Sequence, residues 1–181
     1  MRKLIMWNII TLDGFFDGAV PWELPFHEAI WGQELEKLSL EQLRAADYLV
    51  FGRATYEGMA SYWGTAQGEI ADLMNGVSKL VVSKSLQAVD WQNAELISDD
   101  AADRISRLKT EGDGDMYVFG SANLSETLIE SNLFDEYRIG IAPVIMGQGR
   151  PLFGRGLSYK NLHLLSCQQL SNGGMVMRYR P

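Results

Sequence analysis

Cysteine, histidine and long apolar runs are scarce in this sequence. The single cysteine, Cys167, excludes an internal disulfide framework and any metal site that needs several cysteines. The two histidines, His27 and His163, are far apart and lack zinc-type spacing, so we expect no metal site. No apolar run approaches the roughly 18 residues of a membrane span, and the N-terminal apolar stretch is too short for a signal peptide. We therefore expect a cytoplasmic protein without a membrane partner.

Positive charge is also in short supply. The chain has 16 Lys and Arg residues against 23 Asp and Glu, a net charge of −7 at pH 7 and a pI of about 4.8. No basic stripe is visible, which argues against nucleic acid as a partner. A small anionic ligand remains compatible, because its site needs only a few local cations. The length of 181 residues and the hydrophobic content of 46% predict one globular domain over 1–181.

The order of apolar runs and helical patterns predicts an α/β fold. Short apolar runs with helical patterns between them occupy the first 130 residues, whereas 11–25 is rich in glycine and proline and is predicted to be a loop. Strands dominate the end, where 162–170 and 175–180 predict a hairpin. We expect a mostly parallel sheet with an antiparallel C-terminal edge. The runs predicted to be strands before that hairpin are 4–10, 48–51, 79–83, 95–97, 116–119 and 137–142.

The segment Gly52-Arg53-Ala54-Thr55 is a candidate phosphate site. It follows the apolar run 48–51 and precedes a sequence that can begin a helix. The free N–H groups and the dipole at a helix start favour an anion. Arg53 adds a fork of donors and Thr55 a hydroxyl. A buried strand followed by a capped helix explains the same residues without any ligand.

Two more polar segments follow predicted strands. Ser83-Lys84 ends one strand, and Gly120-Ser121-Ala122-Asn123 ends another and opens a helix. Ligands of open α/β sheets bind outside the carboxyl ends of the strands. Two helix starts suit the two phosphates of a pyrophosphate, and Ser83-Lys84 suits the 2′-phosphate of NADP. Each segment alone is equally compatible with an ordinary turn. No Gly-x-Gly-x-x-Gly follows the first strand, so an ordinary Rossmann site is not indicated.

These segments, taken in order, resemble the dihydrofolate-reductase-like superfamily. The resemblance is closer to its branch related to the reductase domain of the bifunctional riboflavin-biosynthesis deaminase/reductase, the RibD C-terminal domain. It covers nearly the whole chain and implies a three-layer α/β/α dihydrofolate-reductase-like fold. The segments that carry it are 11–14, 52–57, 79–86, 120–124 and 135–153.

The resemblance implies NADPH as hydride donor and assigns roles to individual residues. Asp13 is the implied catalytic residue. Lys84 stands where the family carries arginine; it keeps the charge but lacks the bidentate fork, so a weaker preference for NADP is expected. The implied cofactor-binding residues are Thr11, Gly52, Arg53, Thr55, Ser83, Lys84, Gly120, Ser121, Ala122, Asn123 and Leu124. The implied substrate-binding residues are Trp22, Tyr56, Glu136, Gly147 and Gly149.

The expected substrate depends on one helix position. Dihydrofolate reductases place a carboxylate on the first helix after a Trp-x-x-Pro segment. This chain has Trp22-Glu23-Leu24-Pro25 and then His27 at that position, with Glu28 next. An imidazole cannot accept the paired hydrogen bonds of an aminopyrimidine as a carboxylate does. Dihydrofolate reduction is therefore disfavoured, although a helix offset would bring Glu28 into place, and His27 fits a surface helix residue better than a catalytic one.

The favoured function is an NADPH-dependent reductase of a small heterocycle, most like 5-amino-6-(5-phosphoribosylamino)uracil reductase. The single cysteine excludes the zinc-dependent deaminase half of the bifunctional enzyme. Riboflavin reductases also need a basic residue for the ribose phosphate of the substrate, and Arg150 and Arg155 are candidates, unless both are solvated loop residues. A dihydrofolate or pterin reductase and a non-catalytic NADP-binding protein are the alternatives. The apolar segment 139–153 and the terminal hairpin suit a homodimer interface.

Overall fold

One large sheet organises the chain, and the computed structural model describes residues 1–181. The helices are α1 (Phe26–Ile30), α2 (Gln33–Ala45), α3 (Arg53–Trp63), α4 (Glu69–Gly76), α5 (Ala101–Thr110) and α6 (Ala122–Glu130). The first five strands are β1 (Leu4–Thr11), β2 (Phe15–Asp17), β3 (Ala46–Gly52), β4 (Ser78–Val82) and β5 (Ala94–Ile97). The remaining strands are β6 (Asp115–Phe119), β7 (Glu136–Ala142), β8 (Arg150–Pro151), β9 (His163–Gln169) and β10 (Met175–Arg180).

The sheet has eight strands in the order β5-β4-β3-β6-β1-β7-β10-β9. The first six strands of that order are parallel to one another. β10 pairs antiparallel with β7, and β9 pairs antiparallel with β10. This arrangement confirms the predicted mostly parallel sheet with an antiparallel C-terminal hairpin. All the parallel strands end at the same edge of the sheet, so the segments that follow them are brought together.

Helices cover both faces of the parallel strands and give three layers. Because successive strand side chains point to opposite faces, β1 contributes Leu4 and Met6 to one core and Ile5 and Trp7 to the other. The first core is closed by apolar residues of α5 and α6, and the second by residues of α1, α2, α3 and α4. No helix combines the length and the apolar character that crossing a membrane requires.

A short ribbon of two strands was missed by the sequence analysis. β2 and β8 pair antiparallel, with Phe15 opposite Pro151 and Asp17 opposite Arg150. The sequence predicted a loop over 11–25 and no strand at 150–151. Strands of three and two residues show no usable alternation, and their pairing joins segments more than 130 residues apart. The ribbon follows β1 and so lies near the carboxyl ends of the parallel strands.

A buried ionic cluster lies at the opposite end of the sheet. The Glu136 carboxylate begins β7 and accepts hydrogen bonds from Arg138 Nε at 2.5 Å and from Arg178 Nε and Nη2 at 2.6 and 3.1 Å. Arg138 also donates to Gln42 Oε1 and to the Tyr117 hydroxyl, both at 3.1 Å. Burial opposes ionisation of Glu136, but the two arginines outweigh it and hold the pKa of this carboxyl below its usual value.

Replacing Glu136 by glutamine is expected to destabilise the fold by roughly 2 kcal/mol. That value lies between the losses expected for surface and for fully buried ion pairs, because Arg138 is largely buried and Arg178 is partly exposed. Chemical denaturation at pH 7 measures the change. The carboxylate stabilises the native state above its ordinary pKa, so the difference between E136Q and the unmodified protein should shrink as the pH falls through the lowered native pKa.

The exposed pair of Glu95 and Arg104, at 3.4 Å, supplies a matched control. E95Q is expected to change the free energy of unfolding by less than about 0.5 kcal/mol. Equal effects of E136Q and E95Q would contradict the stabilising role of the buried cluster.

Candidate functional site

The strand order places the predicted phosphate segments side by side. β4, β3, β6 and β1 are consecutive neighbours, and all four run in the same direction. Ser83-Lys84 follows β4, Gly52 ends β3 with Arg53 directly after it, and Gly120-Ser121 follows β6. Asp13 follows β1 at the end of the same row. The structure therefore brings these segments to one edge, in the order that a single extended ligand would meet them.

A serine hydroxyl joins the two central corners. Ser121 Oγ accepts a hydrogen bond from the Gly52 N–H at 2.6 Å and donates one to Thr55 Oγ1 at 2.8 Å. Ser121 has a φ of 62°, and Gly120 before it has a φ of 65°. A Cβ at Gly120 would lie 2.9 Å from the Thr55 methyl, and a Cβ at Gly52 would lie 3.0 Å from Ser121 Oγ. The two glycines are thus required for the close approach of the corners.

The helix starts beside this bridge have no side-chain caps. Neither α3 nor α6 has a side-chain hydrogen bond to its first turn. The N–H groups of Ala54, Ala122, Asn123 and Leu124 belong to these first turns. Gly52, Thr55 and Ser121 are linked by hydrogen bonds and therefore fix the shape of the site. The N–H groups of the first turns remain available as hydrogen-bond donors to a ligand.

Unpaired cations flank the same edge. Arg53 and Lys84 are exposed, and none of the ion pairs of the chain includes either residue. Ser83 is buried, and its Oγ accepts hydrogen bonds from the Ser85 and Leu86 N–H groups at 3.2 and 3.1 Å. Ser83 therefore fixes the turn that presents Lys84. Two exposed cations without an ion-pair partner therefore stand at this edge in a protein of net charge −7.

Asp13 holds a turn of the chain against the end of β1. Its carboxylate accepts hydrogen bonds from the Met146 N–H at 3.2 Å and from the Gly147 N–H at 2.7 Å. The Thr11 hydroxyl, followed by the amides of Gly147 and Met146, holds the pKa of Asp13 below its usual value. The side chain is therefore ionised at neutral pH and acts as an acceptor. Thr11 is fully buried, and its Oγ1 also accepts from the Phe15 N–H at 2.9 Å.

The glycines of the segment after β7 also lie at this edge. Gly147 has a φ of 78° and open space beside its Cα. Gly149 has a φ of 146°, and a Cβ there would clash with the Asp17 carbonyl oxygen. Gly147 is thus the residue held by Asp13, and Gly149 permits the close approach of β8 to β2.

The structure does not bring all the predicted substrate residues together. Trp22 is partly exposed with a φ of 70°, and its ring lies against Gly58 of α3, beside the site. Tyr56 is buried, and its hydroxyl donates to Asp90 Oδ1 at 2.8 Å and accepts from the Asp90 N–H at 3.0 Å. Tyr56 therefore ties α3 to the chain after β4. Glu136 begins β7, roughly 20 Å from the carboxyl edge at about 3.3 Å per residue.

His27 differs from the sequence expectation. It was expected to be a surface helix residue, but its Nε2 is buried without a hydrogen-bond partner, and its ring packs edge-on against Phe26 at 4.9 Å. Burial lowers the pKa of His27 to about 4, so the ring is neutral at pH 7. Glu28 is exposed. The helix offset that would place Glu28 at the pterin-binding position is not supported by this exposure.

Two residues near the site were not identified clearly from the sequence. Phe16 was not singled out, and Arg150 was not distinguished from Arg155. Phe16 of β2 packs on the core below α6, and a Cβ at Gly120 would lie 3.2 Å from its ring. Arg150 of β8 donates a hydrogen bond to Asn123 Oδ1 at the start of α6, whereas Arg155 lies beside Glu126 and Glu130 on the outer side of that helix. The apolar pair Phe15-Phe16 was the available signal for β2.

Comparisons with known proteins agree with this geometry. Residues 2–176 match the family described as RibD C-terminal domain. The Bacillus subtilis (strain 168) protein YyaP, described as uncharacterized, is 27% identical, covering 98% of this chain and 94% of YyaP.

Solved structures show the same fold. A candidate riboflavin biosynthesis protein from Shewanella sp. PV-4 superposes with a TM-score of 0.81 at 19% identity, covering 99% of this chain and 98% of that one. Enterococcus faecalis dihydrofolate reductase, complexed with NADP(H) and RAB-propyl, superposes with a TM-score of 0.65 at 14% identity, covering 98% and 95% of the two chains. The dihydrofolate-reductase-like fold and the predicted branch are confirmed.

Replacing Asp13 by asparagine is expected to loosen the turn at Met146 and Gly147. The amide side chain keeps one acceptor oxygen but turns an N–H group toward backbone donors. Hydrogen–deuterium exchange measures the result, with faster exchange, by about tenfold, expected at these two amides.

Asp17→Asn is the matched control, because Asp17 accepts hydrogen bonds from the Gly18, Trp22 and Glu23 amides instead. It should speed exchange in 18–23 and leave 146–147 protected. Unchanged protection of Met146 and Gly147 in D13N would contradict the role of Asp13 in holding the turn.

Proposed function

The chain belongs to the RibD C-terminal domain family, and we propose that it is an NADPH-dependent reductase of a small nitrogen heterocycle. The most similar reaction is that of 5-amino-6-(5-phosphoribosylamino)uracil reductase. The proposal rests on the family, the fold, and the unpaired cations and uncapped helix starts at the ends of β4, β3 and β6.

The row of strand ends is the observation that carries this proposal. Neighbouring strands are about 4.8 Å apart, so the ends of β4 and β1 are separated by roughly 14 Å. Lys84 stands at one end of the row, the helix starts at Arg53 and Ala122 occupy the middle, and Asp13 stands at the other end. This order suits a dinucleotide with a terminal phosphate at β4, a pyrophosphate between α3 and α6, and its reactive ring at β1.

The residues present fit NADPH. Two uncapped helix starts point to one edge, and two cations there have no acidic partner. Lys84 would hold the 2′-phosphate, and Arg53 with the first-turn amides of α3 and α6 would hold the pyrophosphate. When bound, NADPH supplies a hydride for an electron-poor C=N or C=O group. The protein contributes orientation and the exclusion of water.

Asp13 is suited to positioning. It is ionised and engaged by two amides, so it holds the turn at Gly147 in place beside the end of β1 and does not donate a proton to the substrate. Asp13, the catalytic residue implied by the resemblance, is thus proposed to act by positioning. Trp22, beside Gly58, forms a wall on the α3 side of the same edge.

The α1 side of the site argues against dihydrofolate as substrate. A neutral His27, half-buried with its Nε2 enclosed, lacks the paired acceptor oxygens that an aminopyrimidine edge needs, and Glu28 is exposed. The non-catalytic alternative predicts the same nucleotide binding without turnover.

NADPH binding and turnover test the proposal together. Tryptophan fluorescence should report NADPH binding with a Kd well below ~1 mM, which corresponds to about −4 kcal/mol. With NADPH present, loss of absorbance at 340 nm is expected with the phosphoribosylaminopyrimidine and not with dihydrofolate. Binding without turnover on a panel of pyrimidines, pterins and quinones would favour the non-catalytic alternative. Binding of neither NADPH nor NADH would contradict the proposal.

We also propose a homodimer formed through β9. Every residue of this strand is exposed, it stands at the edge of the sheet, and it carries no Lys, Arg, Asp or Glu. Leu164 and Leu165 are 57% and 48% exposed. Edge strands of monomeric proteins are usually protected by charges, bulges or a covering element. β9 has no charge, and its one irregularity is the register shift against β10 at Leu165. An uncharged edge that exposes two leucines suits pairing with a second copy around a two-fold axis.

Leu164→Lys is expected to abolish the dimer, because it places a charge on the paired edge. Light scattering should give twice the 20.3 kDa chain mass for the unmodified protein and one chain mass for L164K. Tyr62 on α3 is similarly exposed, at 58%, and Tyr62→Lys is the matched control that should leave the dimer intact. A monomeric unmodified protein at micromolar concentration would contradict the interface.

A further inference from the structure

The ribbon of β2 and β8 crosses the carboxyl edge of the sheet. The Leu152 side chain, next to β8, is buried in the core below α6, and Phe16 of β2 packs on the same core. The Leu152 N–H donates to the Gly14 carbonyl at 3.3 Å, and the Leu12 N–H donates to the Val144 carbonyl at 2.8 Å. Both ends of the segment between β7 and β8 are thus fastened to the end of β1.

The attachment of this segment to the end of β1 places Arg150 at the start of α6. Arg150 is exposed and belongs to no ion pair of the chain. Its one side-chain hydrogen bond goes from Nη2 to Oδ1 of Asn123, the second residue of α6. A guanidinium has five N–H donors, so most of the donors of Arg150 remain free beside the first turn of this helix.

The position of Arg150 is electrostatically unfavourable in the protein without a ligand. The start of a helix carries the positive end of its dipole, which repels a cation placed there. Arg53 stands in the same unfavourable position at the start of α3. These helices cover opposite faces of the sheet, so the two arginines flank one edge from both sides. A bound anion between them would attract both guanidinium groups and both helix starts, and so offset this repulsion.

We propose that Arg150 binds the pyrophosphate of the dinucleotide from the α6 side and so makes the β2–β8 ribbon a clasp over the cofactor. This inference rests on the proposed function. It separates Arg150 from Arg155, which the sequence left equivalent: Arg155 lies beside Glu126 and Glu130, away from the sheet edge. It also assigns Arg150 to the cofactor instead of the ribose phosphate of the substrate, because its anchor is Asn123 of α6.

Binding of two dinucleotides to single variants tests the assignment. Both NADPH and NADH carry a pyrophosphate, whereas only NADPH carries the 2′-phosphate. R150Q is expected to raise the Kd for both by about the same factor, on the order of tenfold. K84Q is expected to raise the Kd for NADPH alone. R155Q is the matched control from the same segment and should change either Kd by less than about twofold.

Asn123→Asp supplies a second readout that separates binding from folding. The new carboxylate lies at the start of a helix, where it favours the helix dipole and pairs with Arg150, so the melting temperature should stay the same or rise. The same charge repels the pyrophosphate and occupies Arg150, so the Kd for both dinucleotides should rise by at least fivefold. A purely structural role of the contact between Arg150 and Asn123 does not predict this opposition.

The outcomes distinguish this inference from the function on which it rests. Unchanged affinity of R150Q for both dinucleotides would overturn the clasp while leaving the reductase proposal standing. A loss confined to NADPH would overturn it as well, because Arg150 would then read the 2′-phosphate. Failure of the unmodified protein to bind either dinucleotide would remove the proposed function and this inference together.

Discussion

The hydroxyl of Ser121 is the interaction on which the geometry of the candidate site depends. It accepts the Gly52 N–H and donates to Thr55, and so it locks the corner after β3 to the corner after β6. The neighbouring strands bring the corners close, but only glycines at 52 and 120 let them meet. Because each corner begins a helix, the lock fixes two uncapped helix starts at one point of the sheet edge.

The charged residues at this edge are arranged in a way that a bound ligand explains better than the stability of the free protein does. Arg138 and Arg178, by contrast, are paired with an acid in the cluster around Glu136. Arg53 and Arg150 instead lie at helix starts without an acid, where the dipole disfavours them. Lys84, which follows β4, is a further cation at this edge without an acidic partner. Sites that violate a local rule without an internal compensation are where a ligand is expected to compensate.

The sequence predicted the sheet and the positions of the turns at its carboxyl edge well, because both depend on local patterns. Apolar runs followed by glycine located the ends of β3 and β6, and the order of helices and strands indicated which ends share an edge. Side-chain roles set by distant contacts were not predictable. The partners of Asp13 lie at 146 and 147, and the partner of Tyr56 lies at 90. Glu136 was grouped with the site by resemblance, whereas the direction of β7 places it at the far end.

The burial of the His27 ring was likewise not predictable from the sequence. Its position on α1 was clear from the sequence, but its burial depends on how this five-residue helix packs across the sheet. The ribbon of β2 and β8 is the strongest case, since five strand residues from two distant segments position Arg150 over α6.

A crystal structure of the protein with NADPH tests the central claim most directly. The account predicts the 2′-phosphate beside Lys84 and the pyrophosphate between the starts of α3 and α6, within hydrogen-bonding distance of Arg53 and Arg150. The nicotinamide should then lie at the end of β1, next to the turn held by Asp13. A dinucleotide bound elsewhere on the protein, or one that crosses the edge in the opposite direction with its nicotinamide at β4, would contradict the account.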